Sequence, residues 1–214
     1  MPGSIEQDVA AVLHAWFPAA QVRVGTVGSH PVLPQELALV AKAVDKRRDE
    51  FTTGRWLARD ALRALGVSDQ PLGTGALREP LWPAGLQGSI SHDGRLCAVV
   101  VQAATGPAIG IDLIAIERHR GRLPELTQMF VANPAELQAA ASFGLDVEPE
   151  MLLFCLKEAV VKAISREVGA FIDLRDIELR PAATPELRFQ GRLLPARLLA
   201  ARVGGYLLGG SGIG

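Results

Sequence analysis

The chain has 214 residues, nearly half of them apolar, with 22 Lys and Arg against 23 Asp and Glu and a formal net charge of −1. That length buries a core without help from disulfides or a structural metal, and the near-zero charge excludes any global attraction to nucleic acid or a membrane surface. Two cysteines, Cys97 and Cys155, each inside an apolar run, exclude a disulfide framework, and the absence of a basic segment beside Glu6 and Asp8 argues against a secretory signal and for a cytoplasmic protein.

Leu37, Val40, Ala41 and Val44, then Leu57, Ala58, Ala61, Leu62 and Leu65, recur at helical spacing. This predicts helix from about residue 34 to 65, with Gly66 as its C-cap. Residues 70–88 are rich in Pro and Gly and read as a connecting loop. Residues 89–92 and 96–101 read as strands joined by an Asp93-Gly94 hairpin turn, and 109–116 as a third strand. The apolar stretch 96–116 is broken by Gln102, Gly106, Pro107, Gly110 and Asp112, so two strands around a turn account for it better than a membrane span. Helices are expected at about 125–143 and 151–164, and strands from 177 onward, where short apolar runs alternate with Gly and Pro. The order helix, strands, helices, strands predicts an α+β fold with a boundary near residue 108.

Four segments hold candidate chemistry. In Ala108-Ile109-Gly110-Ile111-Asp112-Leu113-Ile114 an acid interrupts an apolar strand. A buried carboxylate needs a partner, and Asp112 either accepts backbone hydrogen bonds or meets an Arg at a strand end, or ligates a hard cation such as Mg²⁺. In Phe154-Cys155-Leu156-Lys157-Glu158-Ala159-Val160-Val161-Lys162-Ala163, Glu158 and Lys162 are four apart on one helix face, as a surface pair or as charges of a site on an otherwise apolar helix. Ser89-Ile90-Ser91-His92-Asp93 invites a hydrolase triad, but consecutive strand residues point to opposite faces and no Gly-x-Ser-x-Gly elbow is present. His92 is then structural or a phosphate ligand. Lys46-Arg47-Arg48-Asp49-Glu50-Phe51, with Gly54-Arg55 and Arg59, is either a solvated, salt-bridged helix face or a phosphate site in which Arg48 and Arg55, seven apart, share a face. The interleaved acids count against nucleic acid.

Taken in order, Lys46-Arg47-Arg48 with Glu50-Phe51 and Gly54-Arg55, Glu79-Pro80 with Trp82-Pro83, Gly88-Ser89-Ile90-Ser91-His92, Gly110-Ile111-Asp112, and Lys157-Glu158-Ala159 with Lys162-Ala163 resemble the 4′-phosphopantetheinyl transferase superfamily. The larger class, typified by the surfactin and enterobactin synthetase activators, fits best, over about residues 46–165. The resemblance implies two similar α+β halves, 1–108 and 109–214, with pseudo-twofold symmetry and coenzyme A in the cleft between them. It implies the nucleotide of coenzyme A on the first half, and the metal and catalytic helix on the second.

It further implies transfer of the phosphopantetheine arm from coenzyme A to a serine of an apo acyl or peptidyl carrier protein, by a monomer using Mg²⁺, with Mn²⁺ as a substitute. Asp112 and Glu158 match the metal-binding acids, and with Lys162 they form the catalytic group. Arg47, Arg48 and Arg55 match the segment that meets the 3′-phosphate. Ser91 and His92 match the strand lining the coenzyme A pocket, and Lys157 and Lys162 match lysines near the diphosphate. Arg78, where many relatives carry Gly-Lys-Pro, is assigned the missing positive charge. The proton of the carrier serine goes to Glu158 directly or through a water. The chain departs from the larger-class pattern at Ile114, where a second acid is usual. That departure is the one support for a catalytically inactive coenzyme A-binding relative. An unrelated α+β acyltransferase acting on coenzyme A thioesters is the other rival, and it would be insensitive to EDTA.

Overall fold

The computed structural model describes residues 3–214, and the chain divides into two units, one running to Gly106 and the other from Pro107 to Gly214. The first unit opens with α1 (Ile5–Trp16), whose start is fixed by a reciprocal capping box between Ser4 and Gln7 and which buries Val9 and Leu13. After β1 (Gln21–Thr26) the single helix expected over 34–65 is two, α2 (Pro34–Ala38) and α3 (Asp45–Ala64). The link between them is held by short i→i+3 bonds, such as Val40 N–H to Leu37 O at 3.1 Å. The break has a cause in Glu36, which is 0% exposed and ion-paired to Arg59 of α3. Two helices joined by that pair fold back on each other and cannot continue as one rod.

The segment read as loop contains a small hairpin of β2 (Gly73–Thr74) and β3 (Pro80–Leu81). Then β4 (Leu86–Asp93) and β5 (Leu96–Ala103) flank a tight turn in which Gly94 takes φ 62°, a conformation that costs glycine little. The antiparallel sheet has the order β1-β5-β4. Leu57, Ala58, Ala61 and Leu62 of α3 share one core with Cys97, Val99 and Val101 of β5.

The second unit begins with β6 (Ala108–Ala115), α4 (Ile116–His119) and a 3₁₀ turn at Pro124–Met129, then α5 (Ala135–Ala141) and the long α6 (Pro149–Val168). The helix expected over 125–143 is therefore interrupted. Pro134, the N-cap of α5, has no N–H to continue a helix, and the backbone before it is committed elsewhere, with the Phe130 carbonyl accepting from Lys157 of α6 and Glu136 accepting the N–H groups of Ala132 and Asn133. Gly169 at φ 63° ends α6. The strands β7 (Ile177–Arg180), β8 (Glu186–Phe189) and β9 (Arg192–Leu194) form one sheet. β10 (Ala196–Val203) and β11 (Tyr206–Ile213) join β6 in a second, of order β6-β11-β10.

The two units use the same strand scheme, in which the first strand pairs with the last and the last with the one before it. They also share a buried device. Glu36 on the short α2 pairs with Arg59 and accepts the N–H groups of Leu33 (3.1 Å) and Leu72 (3.0 Å). Glu136 on the short α5 pairs with Lys157 (2.7 Å) and accepts those of Ala132 (2.7 Å) and Leu179 (2.9 Å). Among the described residues no helix is long and apolar enough to cross a membrane.

Candidate active site

In the second unit, packing of α6 on β6 brings the acids together. A β-carbon on Gly110 would lie 1.9 Å from the carbonyl oxygen of Ala159, so this face of β6 meets the α6 backbone directly. By strand alternation Asp112 and Ile114 share that face. Asp112 is 9% exposed, and Lys162 Nζ of α6 donates to its Oδ1 at 2.7 Å. Glu158, one turn before Lys162, has its carboxyl pushed up by burial first and by the Asp112 carboxylate second, with Lys162 opposing. Beneath them the thiol of Cys155, fully buried, is raised well above its ordinary range by burial and hydrogen-bonds Asp112. It is inert as a nucleophile. The pair of oxygen donors is the chemistry a hard divalent cation takes. Among the described residues no group of three or more His, Cys, Asp or Glu is arranged to hold a metal.

Lys157 is not brought to this group. It is 1% exposed, paired with Glu136 and donating to Phe130 O at 2.6 Å, and burial pulls its ammonium below the ordinary range. Its neighbour Glu158 lies about 100° away around the helix, which separates a core lysine from a site acid. Ile114 is 3% exposed and belongs to the same apolar cluster as Leu152 and Leu207.

In the first unit a cavity of about 350 Å³ is lined by Arg47, Arg55, Arg78 and His92 together with Glu50 and Phe51. Arg55 is 4% exposed, stacks on the Phe51 ring at 4.6 Å and donates to Thr74 Oγ1 at 2.8 Å. Among the described residues no carboxylate pairs with it, and its Nε has no hydrogen-bond partner. Burial lowers its pKa to about 10. The Glu36 charge offsets part of this burial cost, and an anion in the cavity would offset more. Arg47 Nη1 lies 3.1 Å from His92 Nε2, and Glu50 Oε2 lies 3.6 Å from His92 Nδ1 and 3.9 Å from Arg47.

Two expected members of this cavity are elsewhere. Arg48 turns back along its helix to Asp45 (3.0 Å) and the Ala43 carbonyl (3.1 Å), so Arg47 and not Arg48 joins Arg55. Ser91 is 3% exposed and lies on the face of β4 opposite Ile90 and His92, which line the cavity. The sequence reading missed Thr74 and the part Glu50 plays as a shared acid. It also missed both buried glutamates, although Pro34 with Glu36 two residues on is a helix-start signal that could have flagged the first.

Comparison with known proteins returned two consecutive matches. The family model for the 4′-phosphopantetheinyl transferase N-terminal domain matches residues 34–102, and that for the 4′-phosphopantetheinyl transferase superfamily matches residues 108–208. The 4′-phosphopantetheinyl transferase Svp of Streptomyces mobaraensis is 38% identical over 168 residues, covering 76% of this chain and 66% of that relative. The 4′-phosphopantetheinyl transferase Npt of Nocardia iowensis is 39% identical over 131 residues, 61% of this chain and 57% of the relative. Enterobactin synthase component D of Escherichia coli (strain K12) is 36% identical over 137 residues, 62% of each. The matches span less than two thirds of the length of these relatives.

Proposed function

The chain belongs to the 4′-phosphopantetheinyl transferase superfamily, and from that premise we propose that it transfers 4′-phosphopantetheine from coenzyme A to a serine of an apo acyl or peptidyl carrier protein. The observation that carries this reading is the meeting of Asp112, Glu158 and Lys162 on the face between β6 and α6. In the proposed reaction the serine oxygen attacks the β-phosphorus of coenzyme A. The bond to the 3′,5′-ADP oxygen breaks, and the serine proton passes to Glu158. Lys162, oriented by Asp112, offers positive charge to the diphosphate as charge shifts to the leaving oxygen.

Asp112 and Glu158 suit Mg²⁺ or Mn²⁺, because two neighbouring carboxylates offer a hard cation its preferred oxygen ligands. Bound there, the metal would neutralise diphosphate charge. The reading gives the first unit the nucleotide of coenzyme A, with Arg47, Arg55, Arg78 and His92 as its phosphate ligands. It gives the second unit the metal and the reacting centre. The shared strand scheme and the paired glutamate devices support the reading of two similar α+β halves. The reading further includes a monomer acting in the cytoplasm.

The test is intact-mass analysis of a panel of apo carrier proteins incubated with the protein, coenzyme A and Mg²⁺. One phosphopantetheine is expected on the serine, with release of 3′,5′-ADP. No gain on any carrier, by folded protein, overturns the transferase reading. Coenzyme A binding without any gain would leave the inactive relative.

A further inference from the structure

Arg78 is one of two non-glycine residues with positive φ among those described, at 68°. For an L-residue whose side chain gains no local hydrogen bond, that conformation is strained. Glycine would take it without strain. What arginine adds is a long cationic side chain, and Arg78 lines the cavity that also holds Arg47, Arg55 and His92.

The turn that carries it is closed from inside by the next residue. The chain reverses between Thr74 and Pro80, with Gly75 N–H donating to Glu79 O at 2.9 Å and Arg78 N–H to Gly75 O at 3.1 Å. The Glu79 carboxylate folds back under this turn and accepts the N–H of Leu77 at 2.9 Å. It fills the space beside residue 75, where a β-carbon would lie 1.9 Å from Glu79 Oε1, so glycine there makes room for it. The backbone is thus pinned on both sides of Arg78, at 77 by the carboxylate and at 79 by the bond from Gly75 N–H. The base of the same hairpin is tied to Arg55, which donates to Gly73 O at 3.3 Å and Thr74 Oγ1 at 2.8 Å. One hairpin therefore sets the position of two of the cavity's arginines.

We propose that Glu79 is a positioning residue that holds Arg78 in its left-handed conformation so that the guanidinium meets a phosphate group of coenzyme A. This rests on the transferase reading for the identity of the ligand. The sign of the effect separates positioning from charge. Removing a carboxylate near a cationic cavity would, by charge alone, tighten anion binding. Removing a clamp weakens it.

Calorimetric titration of coenzyme A into wild type, Arg78→Ala, Glu79→Ala, Glu79→Gln, Glu79→Asp and the Arg78→Ala/Glu79→Ala double variant tests this. Arg78→Ala should bind about tenfold or more weakly, the worth of one charge-assisted hydrogen bond. Glu79→Ala should be weakened to a similar degree, and the double variant no further than Arg78→Ala alone. Glu79→Gln still accepts from Leu77 N–H and should stay within about twofold of wild type. Glu79→Asp keeps the charge but not the reach, so it should weaken binding, and it gives the same reading if Glu79→Ala does not fold. Unchanged or tighter binding by Glu79→Ala or Glu79→Asp, unchanged binding by Arg78→Ala, or an equal further loss in the double variant overturns the proposal. Failure of wild type itself to bind coenzyme A overturns the transferase reading, and the proposal with it.

Discussion

Burial first, and the neighbouring Asp112 carboxylate second, disfavour the charged form of Glu158, and this has a consequence for stability. The Glu158 carboxyl is held above its ordinary value of 4.5 in the folded protein, so the native state binds this proton more tightly than the unfolded chain. Without metal, stability from this group is greatest below pH 4.5 and declines as pH rises through the folded value. Glu158→Gln removes the charge at constant shape. It should abolish transfer yet raise the melting temperature in EDTA at neutral pH, by roughly 2–4 °C for each kcal/mol relieved. A lower melting temperature for the variant in EDTA would show that neither burial nor Asp112 destabilises the carboxylate. Ile114 shares the Asp112 face of β6 but is 3% exposed in an apolar cluster. Ile114→Glu should therefore do two things. It should lower the Mg²⁺ concentration for half-maximal rate, and it should cost stability, because a carboxylate enters the core. Equal or weaker metal dependence in a folded variant would place residue 114 away from the metal.

At the scale of elements, the site depends on how closely α6 lies on β6. Gly110 and Gly209 permit that approach. A β-carbon on the first would meet Ala159 O at 1.9 Å and Ala163 N at 2.8 Å, and one on the second Cys155 O at 2.9 Å. These are backbone atoms of a long helix and cannot swing aside. Gly110→Ala should push the helix off the sheet, costing about 3 kcal/mol in urea unfolding, and separate Glu158 from Asp112. Transfer at saturating Mg²⁺ should fall at least tenfold even at temperatures where the variant is folded. Retained activity would mean that the contact is slack.

At the scale of the whole molecule, the cationic cavity is built entirely from the first unit and the acid pair entirely from the second. Chelation should therefore separate their functions. EDTA should stop transfer while leaving the affinity for 3′,5′-ADP within about twofold, as read by calorimetry. Loss of both together would mean that nucleotide binding also needs the metal.

The sequence by itself determined the strands β4, β5 and β6, the long α6, the α+β class and the motifs that carry the family resemblance. These are local properties, since alternation, helical spacing, an Asp-Gly turn and short motifs are all read within a few residues. It also put Glu158 and Lys162 on one helix face and required a partner for Asp112, which the fold supplies as Lys162. Of the two helix breaks, only one was left for the tertiary structure to decide. The second falls at Pro134, the N-cap of α5 and a local signal, but the first rests on buried Glu36 paired with Arg59, 23 residues away, and such a distance leaves no local pattern. The same holds for which charges reach a site. Lys157 carries the same charge as Lys162 and is five residues from it, yet one is spent in the core and the other meets Asp112. Arg48 and Arg47 are adjacent, yet one closes its own helix end while the other enters the cavity. A side chain's chemistry is written in its sequence position, but the partner that claims it comes from distant parts of the chain, and only folding brings those together.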